Sequence, residues 1–233
     1  DRQTSTEIVN TLWRLSSRLG SVATFDNRGE IIWLDDFEDN INKWYQSATG
    51  TGAAIALSTE AARSGAKSAK LTTGNTVGNK TYISRSISYS RLCNFGCEIS
   101  FVTQSYVPTD FSLYVYDGVT RNDFLIKYVP EKVTGGPILQ YLDKDSNYQK
   151  IADILLHPSD TMFHTIKIVA NAITKKFIRV ILNSNEYDLS DITPSNVANT
   201  SGPHIAIGCG IEASRASNDS IYVDDAIITQ KEP

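Results

Sequence analysis

Alternation of apolar and polar residues dominates the chain from about residue 30 onward. Segments such as EISFVTQSY (98–106), FSLYVYD (111–117) and HTIKIVA (164–170) place apolar side chains at every second position, the period of a strand with one buried face. Stretches rich in Gly, Pro, Asn, Asp and Ser separate them, among them VPTD, TGGP and DKDSN. About a dozen short strands without intervening helices predict an all-β protein, an antiparallel jelly-roll β-sandwich.

The first twenty residues carry a different period. Thr4 and Glu7 have the spacing of a capping box, and Gly20 is a suitable residue to end a helix. Between them apolar residues recur every three or four positions, which predicts one short amphipathic helix over about residues 5–19. Its apolar stripe includes Ile8, Leu12, Trp13, Leu15 and Leu19.

Two roles remain open for this helix. Its spacing is that of a coiled coil, which would make residues 1–20 an oligomerisation or docking element and the chain a homo-oligomer or part of a larger assembly. The stripe spans fewer than about two heptads, however, so a helix packed against its own domain is equally compatible with it. The expected organisation is a helix over residues 1–20 and a sandwich domain over residues 21–233.

Composition argues against two kinds of partner. The 233 residues carry a formal net charge of −4, and the sequence pI is about 5.4, without the clustered Lys and Arg that a nucleic acid requires. No apolar run reaches the length of about 18 residues that a membrane span needs. We therefore expect neither a nucleic-acid partner nor a membrane span.

Three cysteines are too few for a disulfide framework, and their odd number leaves at least one free thiol. Cys93 with Cys97, or Cys97 with Cys209, could pair. Alternatively, all three are small, half-buried core residues.

Catalytic motifs are lacking in the sequence. Glu98 and Glu212 stand alone, and the pair Glu186 and Asp188 is typical of the end of a strand. The three histidines form no H-E-x-x-H motif, and no G-x-S-x-G segment occurs. The sequence therefore favours a protein that is not an enzyme.

Tyrosines provide the better candidates for function. Tyr114 and Tyr116 share one side of a strand, opposite Leu113 and Val115. Further tyrosines on the following strands could extend such a row into a platform on which sugar rings stack, although half-buried tyrosines are also ordinary sandwich residues. The predicted ligand-binding residues are Tyr114, Tyr116, Tyr128 and Tyr141.

Several landmarks resemble one broad group of proteins. The segment DDFED (35–39) with a following KW, the hairpin ARSGAKSAKLTTG, and the final SIYVDDAIIT together resemble the jelly-roll sandwiches of carbohydrate-binding modules and concanavalin A-like lectins. The resemblance covers residues 35–229 as scattered landmarks. It implies a sandwich whose first strand meets its last, with carbohydrate as the ligand class.

In many members of that group, acids of the first and last strands and carbonyls of the SG hairpin hold a structural calcium ion. The resemblance carries this role to Asp36, Glu38 and Asp225, with carbonyls around Lys67 completing the shell. Calcium prefers carboxylate and carbonyl oxygens, so the residue types suit it.

We therefore predict a non-catalytic, surface-exposed jelly-roll protein that recognises carbohydrate and is extracellular or on a virion surface. The alternative is a virion structural protein, a capsid decoration or tail protein, that oligomerises through its N-terminal helix. A glycan-active enzyme is the third reading.

Overall fold

A computed structural model describes Asp26, residues 28–89 and residues 91–233 of the chain. These residues form two antiparallel sheets of eight strands each, which confirms the predicted β-sandwich. The predicted helix, the apolar stripe from Ile8 to Leu19 and the boundary at residue 20 lie outside the described residues. No helix in the described part of the chain is long and apolar enough to cross a membrane.

The described residues contain sixteen strands. In chain order they are β1 (Glu30–Asp35), β2 (Tyr45–Ala48), β3 (Ala54–Ser58), β4 (Ser68–Thr72), β5 (Lys80–Ile87), β6 (Asn94–Val102), β7 (Thr109–Tyr116), β8 (Thr120–Val129), β9 (Ile138–Leu142), β10 (Tyr148–Asp153), β11 (Phe163–Asn171), β12 (Lys176–Leu182), β13 (Asn185–Asp188), β14 (Ser195–Ala198), β15 (His204–Glu212) and β16 (Ser220–Gln230).

Strands distant in sequence lie side by side in both sheets. Sheet A has the order β13-β12-β11-β6-β16-β4-β3, and β1 also pairs with β16. Sheet B has the order β10-β9-β8-β7-β15-β5-β2, and β14 also pairs with β8. Each sheet thus has an inner face toward the other sheet and an outer face on the opposite side.

The inner faces interdigitate into one hydrophobic core. Phe101 of sheet A and Phe111 of sheet B pack with ring centroids 4.6 Å apart, and Phe124 meets Phe177 edge-on at 5.0 Å. Burying each side chain of this size contributes roughly 1.5–3 kcal/mol to the free energy of unfolding. The alternation in the sequence therefore identifies the faces that hold the two sheets together.

The last strand closes the sandwich, as the resemblance implies. β16 pairs with β4 over Ser220–Val223 and with β1 over Ala226–Gln230, and its register on β6 shifts between Asp224 and Ile227. Asp225, at this bulge, has a positive φ of 44°. The bulge lets one strand change partners along a single edge.

Asp35, the first acid of the DDFED segment, is a structural residue. Its buried carboxylate accepts hydrogen bonds from the Trp44 indole at 2.6 Å and from the Phe37 amide at 3.1 Å. The Lys43 ammonium lies 2.7 Å away. These contacts fix the turn after β1 and hold Trp44 in the core.

All three cysteines are free thiols, and Cys97 and Cys209 are buried. The structure therefore agrees with the reading of core cysteines and contains neither of the two pairings that the sequence leaves open.

Candidate functional site

The outer face of sheet B is rich in tyrosine and small residues. Along β7, Leu113 and Val115 are buried in the core, so the intervening Tyr114 and Tyr116 face outward, as predicted. On the neighbouring β15, the outward positions beside them include Ala206, Gly208 and Gly210. Because these residues have small side chains or none, the centre of the outer face has room for the side chains of neighbouring strands.

Two glycines make room for an aromatic ring. In the register of β15 on β5, Gly210 pairs with Tyr82 and Gly208 with Ser84. A Cβ atom at Gly208 would lie 2.2 Å from the Tyr82 hydroxyl oxygen, and one at Gly210 would lie 2.9 Å from the Tyr82 ring. The Tyr82 ring therefore lies across β15, where any larger residue would displace it.

A groove of about 210 Å³ opens beside this ring. Its walls come from β5, β7, β8, β10 and β15, so five different strands position it. The side chains that line it include Tyr82, Asp110, Ser112, Tyr114, Leu125 and Tyr148.

Hydroxyl groups and one carboxylate form the polar part of the groove. The Tyr82 and Ser112 hydroxyls are hydrogen-bonded at 3.0 Å, and the Tyr148 hydroxyl donates to Asp110 Oδ1 at 3.1 Å. The Lys127 ammonium lies 3.5 Å from the same Asp110 oxygen. The groove therefore presents several groups that can donate or accept hydrogen bonds.

Cations hold two of the rings. The Lys127 ammonium lies 4.7 Å from the centre of the Tyr148 ring, and the Arg121 guanidinium lies 5.0 Å from the centre of the Tyr114 ring. Arg121 is itself fixed by two hydrogen bonds of 2.6 and 2.7 Å to Asp123. Such contacts restrain the rings before any ligand arrives.

The tyrosine hydroxyls of the groove are neutral at pH 7, because the ordinary pKa of tyrosine is about 10. Desolvation raises the pKa of Tyr82, of Tyr114 and of Tyr148 further. Desolvation also raises the pKa of Asp110, against the opposing charge of Lys127.

Tyr116 lies on the same outer face at the end of β7. Its ring stacks on the His204 imidazole with centroids 3.9 Å apart and planes at 14°. This pair adjoins a second, more open recess beside Pro203. The structure therefore places Tyr114 in the groove and Tyr116 beyond one end of it.

The prediction that Tyr128 and Tyr141 belong to an exposed platform is corrected. Tyr128 is 1% exposed, and its hydroxyl accepts a hydrogen bond from the Leu156 amide at 3.1 Å. Tyr141 packs against the core, edge-on to Phe177. The register of β8 on β9 pairs Tyr128 with the buried Leu139 and Tyr141 with the buried Ile126, so both tyrosines point inward.

No sequence motif identifies Tyr82 and Asp110 as groove residues. A signal was present in GCG (208–210), because glycines inside a strand often mark the close approach of another group. What could not be inferred was which side chain approaches, since that depends on how distant strands pair.

The four predicted calcium ligands come together where β1 leads into the next turn and β16 bulges. One Glu38 carboxylate oxygen accepts hydrogen bonds from the amides of Ala66 at 2.7 Å and Lys67 at 2.6 Å. The Lys67 ammonium donates to the Glu38 carbonyl at 2.7 Å. Asp36 accepts a hydrogen bond from the Glu38 amide at 3.2 Å.

Asp225 has partners on both carboxylate oxygens. One accepts a hydrogen bond from the Ser64 hydroxyl at 2.7 Å, and the other lies 3.3 Å from the Arg63 guanidinium. The neighbouring Asp224 accepts hydrogen bonds from the amides of Arg63 and Ser64. Amides, a hydroxyl and a cation therefore organise this junction.

This arrangement does not fit a calcium shell. Calcium takes about six to eight oxygen ligands, whereas here the Arg63 guanidinium contacts an Asp225 carboxylate oxygen, and the Lys67 ammonium lies against the Glu38 carbonyl, where it would repel a cation. Nor do the described residues contain a group of three or more His, Cys, Asp or Glu placed to hold a metal. The calcium site that the resemblance implies therefore has no support from the described side chains.

We expect added calcium, after treatment with a chelator, to change the melting temperature by less than about 1 °C. An ion present at about 100 times its Kd would add about 2.7 kcal/mol to the free energy of unfolding. For a domain of this size that corresponds to a rise of about 5–10 °C. A rise of that size in differential scanning calorimetry would contradict our reading of Arg63 and Lys67.

Comparisons with known proteins identify the fold. No family model matches the chain, and no curated protein matches it in sequence. Among solved structures, the chain is similar to a carbohydrate esterase of the Shiga toxin-encoding bacteriophage phi24B, with a TM-score of 0.58 and 12% identity over 87% of this chain and 99% of the other. It is also similar to the cellulose-induced protein Cip1, with a TM-score of 0.56 and 17% identity over 84% and 96% of the two chains.

A lectin is a third similar structure. The lectin UEA-II, solved in complex with galactose, matches with a TM-score of 0.53 and 12% identity over 86% of this chain and 99% of the other. Identities this low establish the fold alone. The chain therefore has the concanavalin A-like, carbohydrate-binding-module-like sandwich that its sequence landmarks resemble.

Proposed function

We propose that the protein binds carbohydrate, without catalysis, in the groove on the outer face of sheet B. The observation that carries this proposal is the groove itself, where the Tyr82 ring lies over Gly208 and Gly210, Tyr114 and Tyr148 lie beside it, and neutral hydroxyls lie next to Asp110.

These groups match the two sides of a sugar. The apolar faces of a pyranose ring pack on aromatic rings, while its hydroxyls donate to and accept from polar groups. The groove combines both, and its rings are already restrained by Arg121 and Lys127. A restrained site loses less conformational entropy on binding than a flexible one.

The fold supports the proposal as an analogy only. The similar structures include a lectin solved with galactose and a protein described as a carbohydrate esterase, and those descriptions belong to those proteins. Sandwiches of this shape serve many functions, so the site provides the stronger support.

Tyr114→Ala is expected to weaken the binding of a recognised glycan by about 10- to 30-fold, because truncating a central aromatic contact typically costs about 1.4–2 kcal/mol. The measurement is a screen of the wild-type protein against a glycan collection, followed by equilibrium titration of the best ligand. Release of shorter products during incubation would contradict the non-catalytic part of the proposal.

The matched control is Tyr106→Ala. Tyr106 lies in the turn after β6, where its ring contacts Arg215 outside the groove, so its loss should leave the affinity unchanged. Equal weakening by the two substitutions would contradict the assignment of the binding site to this groove. If no glycan binds the protein, the proposal itself is wrong.

The virion alternative depends mainly on the predicted N-terminal helix, which lies outside the described residues. Assembly through this helix and an extracellular or virion-surface location remain predictions. Neither is needed for the groove to bind a sugar.

A further inference from the structure

Asp110 has one carboxylate oxygen that no described residue uses. Oδ1 accepts the hydrogen bond from Tyr148 and faces Lys127, whereas Oδ2 receives no hydrogen bond from the described part of the chain. The side chain lines the groove and is 29% exposed. The contacts to Oδ1 hold the carboxylate in place, so Oδ2 is a fixed acceptor available to a ligand.

A second carboxylate lies at the same end of the groove. Asp110 pairs with Gly210 of β15, and Glu212 follows two residues further along the same face. Its charge contributes to the raised pKa of Asp110. This end of the groove therefore carries two acidic side chains on neighbouring strands.

The nearby lysines are already paired with these acids. The Lys127 ammonium is 3.5 Å from Asp110 and its side chain is 18% exposed, and the Lys80 ammonium is 3.4 Å from Glu212. An anionic ligand would have to compete with these carboxylates for both cations. A hydroxyl, by contrast, can donate to Asp110 Oδ2 without disturbing either pair.

We propose that the groove selects neutral glycans, whose hydroxyls donate to Asp110, and rejects glycans with a carboxylate on the sugar that occupies it. This inference rests on the proposed carbohydrate-binding function and names its substrate class. The rejection follows from charge repulsion in a partly desolvated site, and the two lysines of the described residues that lie near it, Lys80 and Lys127, are already paired with Glu212 and Asp110.

The test compares two oligosaccharides of identical linkage and length, one neutral and one oxidised to the carboxylate at C6. The neutral ligand is expected to bind the wild-type protein at least about tenfold more tightly in isothermal titration at low salt. Asp110→Asn should reduce this ratio to about threefold or less, because the amide keeps an acceptor oxygen while its charge is lost.

Asp191→Asn is the matched control, since it removes the same charge from an exposed residue in the turn after β13 and should preserve the ratio. Equal or tighter binding of the oxidised ligand by the wild-type protein would overturn the selectivity while leaving the proposed function intact. If neither these ligands nor any other glycan binds, the proposed function fails and the selectivity fails with it.

Discussion

Replacing Lys167 with Met is expected to lower the free energy of unfolding by about 3–5 kcal/mol, the usual cost of removing one partner from a buried ion pair. Lys167 lies on the outer face of sheet A with a side chain only 2% exposed. Its ammonium is 2.7 Å from Glu232 and 3.1 Å from Asp26, and it donates to the Arg28 carbonyl at 3.1 Å. Methionine fills a similar volume but carries no charge, so the two buried acids would lose a shared partner.

Arg179 cannot replace the lost ammonium. Its guanidinium already contacts Glu232 at 2.6 Å and donates to the Pro233 carbonyl at 2.6 Å. Together Lys167 and Arg179 hold the last residues of the chain against sheet A. Urea unfolding followed by fluorescence would give the change in free energy.

Lys231→Met is the matched control. Its ion pair with Glu30 is exposed on both sides, and pairs of that kind contribute little, so the change should stay within about 0.5 kcal/mol. A loss below about 1 kcal/mol for Lys167→Met would show that the buried network is not the stabilising element inferred here.

Glu98→Gln is expected to remove much of the loss of stability that the wild-type protein suffers as the pH rises from about 5 to about 8. Glu98 is 2% exposed, and its Oε1 has no hydrogen-bond partner in the described residues. Burial raises the pKa of Glu98 from 4.5 to about 8, although Lys167 and Arg63 oppose the shift.

The direction follows from proton binding. Between the unfolded pKa of 4.5 and the folded pKa of about 8, the unfolded state releases a proton that the folded state keeps, so stability falls with rising pH. At about 1.4 kcal/mol per pKa unit, the fall is on the order of 3–5 kcal/mol by pH 8. Glutamine does not titrate, so this contribution disappears from the variant.

Unfolding curves at several pH values would measure the difference. Some decline should persist in the variant, because burial and the charge of Asp225 raise the pKa of Asp224 to about 7. Parallel curves for the wild-type protein and Glu98→Gln would contradict the assignment of a protonated buried Glu98.

The sequence predicts the sandwich because the alternation of apolar and polar residues within each strand indicates which face of that strand is buried. Phe111, Leu113 and Val115 alternate with polar residues, and the outward direction of Tyr114 follows from their burial. The meeting of the first and last strands was also predictable, through the resemblance of DDFED and VDDAI to known sandwich landmarks.

The site was less predictable because it depends on the pairing of distant strands. Tyr128 and Tyr141 turn inward through the register of β8 on β9, which no local pattern specifies. Glu98 stands alone in the sequence, yet the fold buries it, and Lys167 on the neighbouring strand is buried as well. Tyr82 and Asp110 line the same groove only because β5 and β7 both pair with β15.

Chemical-shift mapping of the isotope-labelled protein, during titration with the best neutral oligosaccharide from the screen, tests whether a glycan binds between Tyr82, Tyr114 and Tyr148 on the outer face of sheet B. We expect the largest shifts to centre on Tyr82, Ser112, Gly208 and Tyr114. Shifts centred on the outer face of sheet A, or on the loop at Arg63–Lys67, would contradict this expectation.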